Sequence, residues 1–70
     1  MAKFINRNNA LQRSNSAHSR LAIIMMNRKD LVSCDYHMDV LQKQVDYKRI
    51  LTKKERSSIF KKNMKRHGVL

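Results

Sequence analysis

The sequence predicts an all-α fold: two or three short helices in a small helical bundle or helical hairpin, ending in a basic C-terminal helix. Three observations predict it. There is no proline and only one glycine, Gly68, in 70 residues, and strand proteins draw on such residues for their turns. Apolar residues recur at helical intervals instead of alternating. Capping residues divide the chain where helices can stop and start. A chain of this length makes one domain, residues 1–70, with 1–15 as the stretch expected to be flexible. It buries only about 60% of the surface its unfolded form exposes, so its stability is expected to be marginal without a partner.

Helix 1 is expected to begin between Asn8 and Ser16 and to end near Asn27–Lys29. At 100° per residue Ala10, Ala17, Leu21, Ile24 and Met25 fall in one arc about 100° wide. Ile23 and Met26 lie outside that arc, so the end of this helix is apolar nearly all round. A break is expected from Asn27 to Ser33, with Ser33 or Asp35 capping helix 2.

Helix 2, about 34–50, carries two apolar stripes. Cys34, Met38, Leu41 and Val45 form one; Tyr36, Val40, Tyr47 and Leu51 form the other, roughly 140° away. A helix with two such faces is the central member of a three-helix arrangement. Asp35, Asp39 and Asp46 share a third face, where Lys43 is spaced to pair with Asp39.

Thr52-Lys53-Lys54-Glu55 has the form of a capping box, in which the Thr hydroxyl accepts from the Glu N–H and the Glu carboxylate from the Thr N–H. Helix 3 is therefore expected over 53–66, with Gly68 as its left-handed stop. Start signal, stop signal and period together make this basic stretch a helix rather than a loose tail.

Net charge is +11. Residues 1–29 carry +6, residues 30–51 carry −1 and residues 52–70 carry +6. Two basic flanks around a nearly neutral centre point to a polyanionic partner. At 41% hydrophobic the chain is too apolar for a purely disordered polycation. The longest apolar run, Leu21 to Met26, is far short of the ~20 residues of a membrane span, so no membrane partner is expected. Residues 1–29 hold Arg and Ser without any acid, the bias of a mitochondrial presequence. A presequence of that length would leave a very small mature protein, so the expected location is cytoplasmic, with the mitochondrial matrix as the alternative. The lone Cys34 excludes an intrachain disulfide and fits a reducing compartment.

The strongest constellation is on helix 3. Lys54, Lys61 and Lys65 lie within about 40° of one another. Lys62 and Arg66 flank them and Lys53 stands at the helix start, while Phe60 and Met64 are expected to face away. Such a row matches the phosphates of a nucleic-acid backbone; the alternative reading is a solvated face that keeps a small protein soluble. A second strip comprises Arg7, Arg13 and Arg20, interleaved with Asn6, Asn8, Asn9, Gln12, Ser14, Asn15 and Ser16. Those are residue types that read base edges and contact phosphates, although a loose polar N-terminus has the same composition.

Other chemistry is weakly signalled. Cys34-Asp35-Tyr36-His37 has the spacing of half a zinc site, and His18 and His67 would have to converge from other helices to complete it; no metal or cofactor is expected. Tyr36, Tyr47, Phe4 and Phe60 are too few, and too often on apolar stripes, for a base-stacking platform. No phosphate-cradling Gly loop or activated nucleophile is present, so an enzyme is not expected.

The first reading is thus a small non-enzymatic accessory protein that binds nucleic acid through phosphates, RNA favoured over DNA, and ribosomal RNA in particular. Two alternatives stand beside it. One is a small regulator or inhibitor, of the phage or plasmid type, that docks on an acidic protein or forms a homodimer. The other is helix-turn-helix-like DNA binding through helices 2 and 3, against which the Gly-free turn and the lysine-rich exposed face weigh. Basicity and the Met-Ala-Lys start are shared with small ribosomal proteins in composition only.

Overall fold

A computed structural model describes residues 7–69, the side chains of Arg7 and Asn8 excepted. It contains three helices: α1 (Arg7–Asn27), α2 (Leu31–Tyr47) and α3 (Lys53–Arg66). The polar stretch from Asn8 to Ser16 thus belongs to α1. Both α1 and α3 pack on α2, while the backbones of α1 and α3 stay apart. The central position expected for helix 2 is the one it occupies.

The connection from α1 to α2 is three residues long and closes by backbone bonds. Lys29 N–H donates to Met26 O at 3.0 Å and Asp30 N–H to Met25 O at 2.8 Å, which is the paired bonding of a Schellman stop. Lys29 sits at the left-handed position of that stop, φ 62°. The cap of α2 is neither Ser33 nor Asp35. Asp30 holds the position, its carboxylate accepting from Ser33 N–H at 3.1 Å and from Ser33 Oγ at 2.9 Å. Ser33 therefore donates its hydroxyl to the cap instead of acting as one, and the helix starts at Leu31 instead of 34. At the other end Lys48 turns left-handed, φ 57°, and α2 stops at Tyr47 instead of running to 50.

α3 has the expected bounds. Thr52 N–H donates to Glu55 Oε1 at 2.8 Å and Glu55 N–H to Thr52 Oγ1 at 3.2 Å, which completes the capping box. Gly68, φ 74°, closes the helix as Val69 N–H reaches Met64 O at 2.8 Å.

α1 and α2 run antiparallel, since Asn15 pairs with Gln44 while His18, further along α1, pairs with His37, earlier on α2. The core between α2 and α3 is Val40, Leu51 and Ile59, with Tyr36 packed against it. Leu51 contributes from the linker, beyond the end of α2. Tyr36 also meets Phe60 edge-on, ring centroids 5.3 Å apart. Tyr47, expected on the same stripe, is exposed. On α1 the buried position is Ala22, outside the expected arc, and Ile24 is exposed. The all-round apolar run from Leu21 to Met26 left the orientation of this helix undetermined by its sequence.

Two buried side chains are polar. Gln44 is fully buried: its Nε2 donates to Ser14 Oγ at 3.1 Å and Asn15 Oδ1 at 2.9 Å, and its Oε1 accepts from Leu51 N–H at 3.1 Å. One amide thereby ties α1, α2 and the linker to α3. Asn63, on α3, donates to Asp39 Oδ2 at 2.9 Å and to Ile59 O at 3.0 Å. Burial of a polar group costs free energy unless it is bonded in this way; Asn63 Oδ1 is buried with no hydrogen-bond partner among the described residues.

Candidate nucleic-acid interface

The face of α3 turned to α2 consists of Ile59 and Asn63, both buried. Phe60 and Met64 do not hold that position; Phe60 lies on the flank against Tyr36 and is partly exposed. The core is thus rotated from the expected one, and the lysine row ends up directly opposite it. Lys54, Lys61 and Lys65 are all exposed, as are Lys53, Lys62 and Arg66. At 1.5 Å rise per residue the three ammonium groups of the row start from backbone positions about 10.5 Å and about 6 Å apart along the axis.

On α1, Arg13 and Arg20 are exposed and line one shallow depression with Asn9, Gln12, Ser16 and Ala17. Ser14 and Asn15, expected on this polar strip, are turned inward to Gln44. The side chain of Arg7, and Asn6, lie outside the described residues. The structure thus assembles two separate basic strips, one on α1 and one on α3, on helices whose backbones do not touch.

The carboxylates among the described residues are bonded elsewhere. Asp30 is committed to Ser33, and its carboxyl is held below the ordinary range by the bonds from that residue. Asp35 accepts from His67 Nε2 at 2.7 Å, Asp39 from Asn63, and Asp46 from Gln42 Nε2 at 3.1 Å. Glu55 is gripped by both Nη atoms of Arg49 at 2.8 Å each. With the bond from Thr52 added to that fork, the Glu55 carboxyl falls to about 2. The expected Lys43–Asp39 pair is not formed, because Asp39 turns to Asn63; Lys43 lies 5.9 Å from the Tyr47 ring centroid instead. Among the described residues Arg49 is the only lysine or arginine in an ion pair. Among the described residues no carboxylate forms an ion pair with Lys54, Lys61 or Lys65.

His18 and His37 meet between α1 and α2, Nδ1 to Nδ1 at 3.0 Å. One ring must donate and the other accept, so the pair can carry at most one positive charge. Burial lowers both imidazoles, and for His18 the charges of His37 and Arg56 act in the same direction. His37 is therefore bound to His18, while its C-x-x-H partner Cys34 lies on the outward stripe of α2. Among the described residues no three potential metal ligands cluster, and no helix is long and apolar enough to cross a membrane.

Sequence reasoning missed Gln44 and Asn63. Both are polar residues at core positions, and periodicity assigns polar residues to the surface. It also missed Arg49, whose guanidinium stacks 5.2 Å from the Tyr47 ring centroid while it grips Glu55.

The fold and these strips define a small all-α protein with a strongly basic surface. The chain matches no family model, and no curated protein or solved structure is significantly similar to it.

Proposed function

We propose that this protein is a non-enzymatic nucleic-acid-binding accessory protein that grips phosphates through α3 and α1, with structured RNA as its target. The observation that supports this reading is the row Lys54, Lys61 and Lys65. It is exposed, in register on an ordered helix, and free of carboxylates among the described residues. Each lysine that replaces a condensed counterion releases it to solvent, so the free energy of binding comes largely from counterion entropy. Arg13 and Arg20, beside Asn9 and Gln12, add groups able to bond base edges and phosphates.

Lysine offers a point charge, not the planar fork that reads guanine, which favours phosphate contact over sequence-specific recognition through α3. The linker Lys48–Thr52 is also longer than the short turn of a helix-turn-helix. Charge reversal tests the reading. Lys61→Glu combined with Lys65→Glu should weaken binding to a structured RNA at least about tenfold at ~0.15 M salt. Unchanged affinity would remove α3 from the interface.

A further inference from the structure

Opposite the core, α2 presents Leu31, Cys34, Met38, Leu41 and Val45. Their spacing of three, four, three and four residues is the a/d repeat of helices that pack on other helices. On the wheel they fall within about 80°. Ile23 and Met26 of α1 continue the strip, and Ile23 shares a shallow groove with Leu41. Leu31, Met38, Val45, Ile23 and Met26 are each between 49% and 55% exposed. Helices that carry an apolar stripe bury it against a second layer, and among the described residues this face has none.

We infer that this face is the docking site for a second copy of the chain. Charge identifies the occupant. Each copy carries +11, so two copies repel almost everywhere, yet residues 30–51 net −1, and the α2 part of the strip lies in that segment. Its edges are complementary to each other. Arg20 lines the groove on the α1 side, while Asp35 and Asp46 border the strip on the α3 side, about 40–60° from Leu31 on the wheel. A twofold axis parallel to α2 sets the arginine edge of each copy over the carboxylate edge of the other, and a twofold interface has to be self-complementary in this manner. The contact does not involve the α3 lysine row, so dimerisation and phosphate binding through α3 stand or fall separately; Arg20 alone is shared, between the dimer edge and the α1 strip.

Sedimentation equilibrium of the full chain tests the inference. The expected result is a monomer–dimer equilibrium that tightens several-fold between ~0.15 M and ~0.5 M salt, since screening relieves the repulsion between copies. Polyanion binding responds to salt in the opposite direction. Met38→Glu and Val45→Glu, made separately at half-exposed positions, should each weaken the dimer at least tenfold without changing the helical circular dichroism. Ser57→Glu, at an exposed position on α3, should leave it unchanged. Methyl NMR of the unsubstituted chain supplies a reading independent of any variant: dilution should shift Ile23, Leu41 and Val45 but not Ile59. A chain that stays monomeric at both salts, a dimer indifferent to both glutamates, or dilution shifts absent from the strip would each overturn the inference.

Discussion

Gln44 Oε1 accepts a hydrogen bond from the buried Leu51 N–H at 3.1 Å. The same amide reaches across to Ser14 and Asn15 with its nitrogen. A single side chain therefore satisfies a backbone donor in the linker and fastens α1 to α2, where buried apolar residues are few among those described.

Gln44→Leu keeps the bulk but strands the Leu51 N–H and the polar ends of Ser14 and Asn15. Leaving a buried group unpaired costs about 1–3 kcal/mol in a dry site; the Leu51 N–H is buried, whereas Ser14 and Asn15 are part-buried and cost less. We expect a loss of about 2–3 kcal/mol in chemical denaturation, which corresponds to a Tm drop on the order of 10–20 °C for a domain this small. An unchanged midpoint would show that water reaches these groups after the substitution.

The left-handed lysines are expected to be points of strain. Lys29 and Lys48 adopt φ 62° and 57°, where a side chain is disfavoured and glycine is not. Lys29→Gly and Lys48→Gly should each raise stability by about 0.5–1 kcal/mol, read as a higher urea midpoint at constant slope.

The histidine pair gives stability a pH dependence whose sign follows from its burial. Both imidazoles are lowered from 6.5 in the folded chain, so as pH falls the unfolded chain takes up protons first. Stability should hold above about pH 7 and decline progressively below 6.5. His18→Leu combined with His37→Leu should flatten that slope in urea titrations. A slope equal to that of the unsubstituted chain would assign the effect elsewhere.

Glu55 responds at the acid end. Its carboxyl is lowered from 4.5 to about 2 by the Arg49 fork and the Thr52 N–H. The stability it confers is present above 4.5 and is lost as pH falls toward about 2. Arg49→Ala should move the Glu55 titration, followed by carboxyl NMR, back toward the ordinary range, and should not shift Asp30, which bonds to Ser33.

How far the sequence alone reaches is clear from these residues. α3 was legible because its signals are local: Thr52, Glu55 and Gly68 act within one turn of the ends they define. The start of α2 was misplaced because Asp30 and Ser33 are both capping residues three apart, and which one accepts is decided by side-chain geometry. The two left-handed stops at Lys29 and Lys48 carry no glycine to announce them. Exposure of the lysines on α3 follows from their charge and needs no tertiary information. The fate of the carboxylates does need it, since Asp39 finds Asn63 on another helix and Asp35 finds His67. The same holds for Gln44 and Asn63, which periodicity places at the surface and packing places in the core.

The most direct test of the central claim, that the α3 lysines are displayed in register for a phosphate backbone, is the salt dependence of binding to a fluorescent structured RNA. With three lysines and two arginines engaged, the slope of log K against log salt should fall at about −3 to −5, and Lys61→Glu with Lys65→Glu should flatten it by about 2. A slope shallower than about −1, or one that the double substitution leaves in place, would contradict the account.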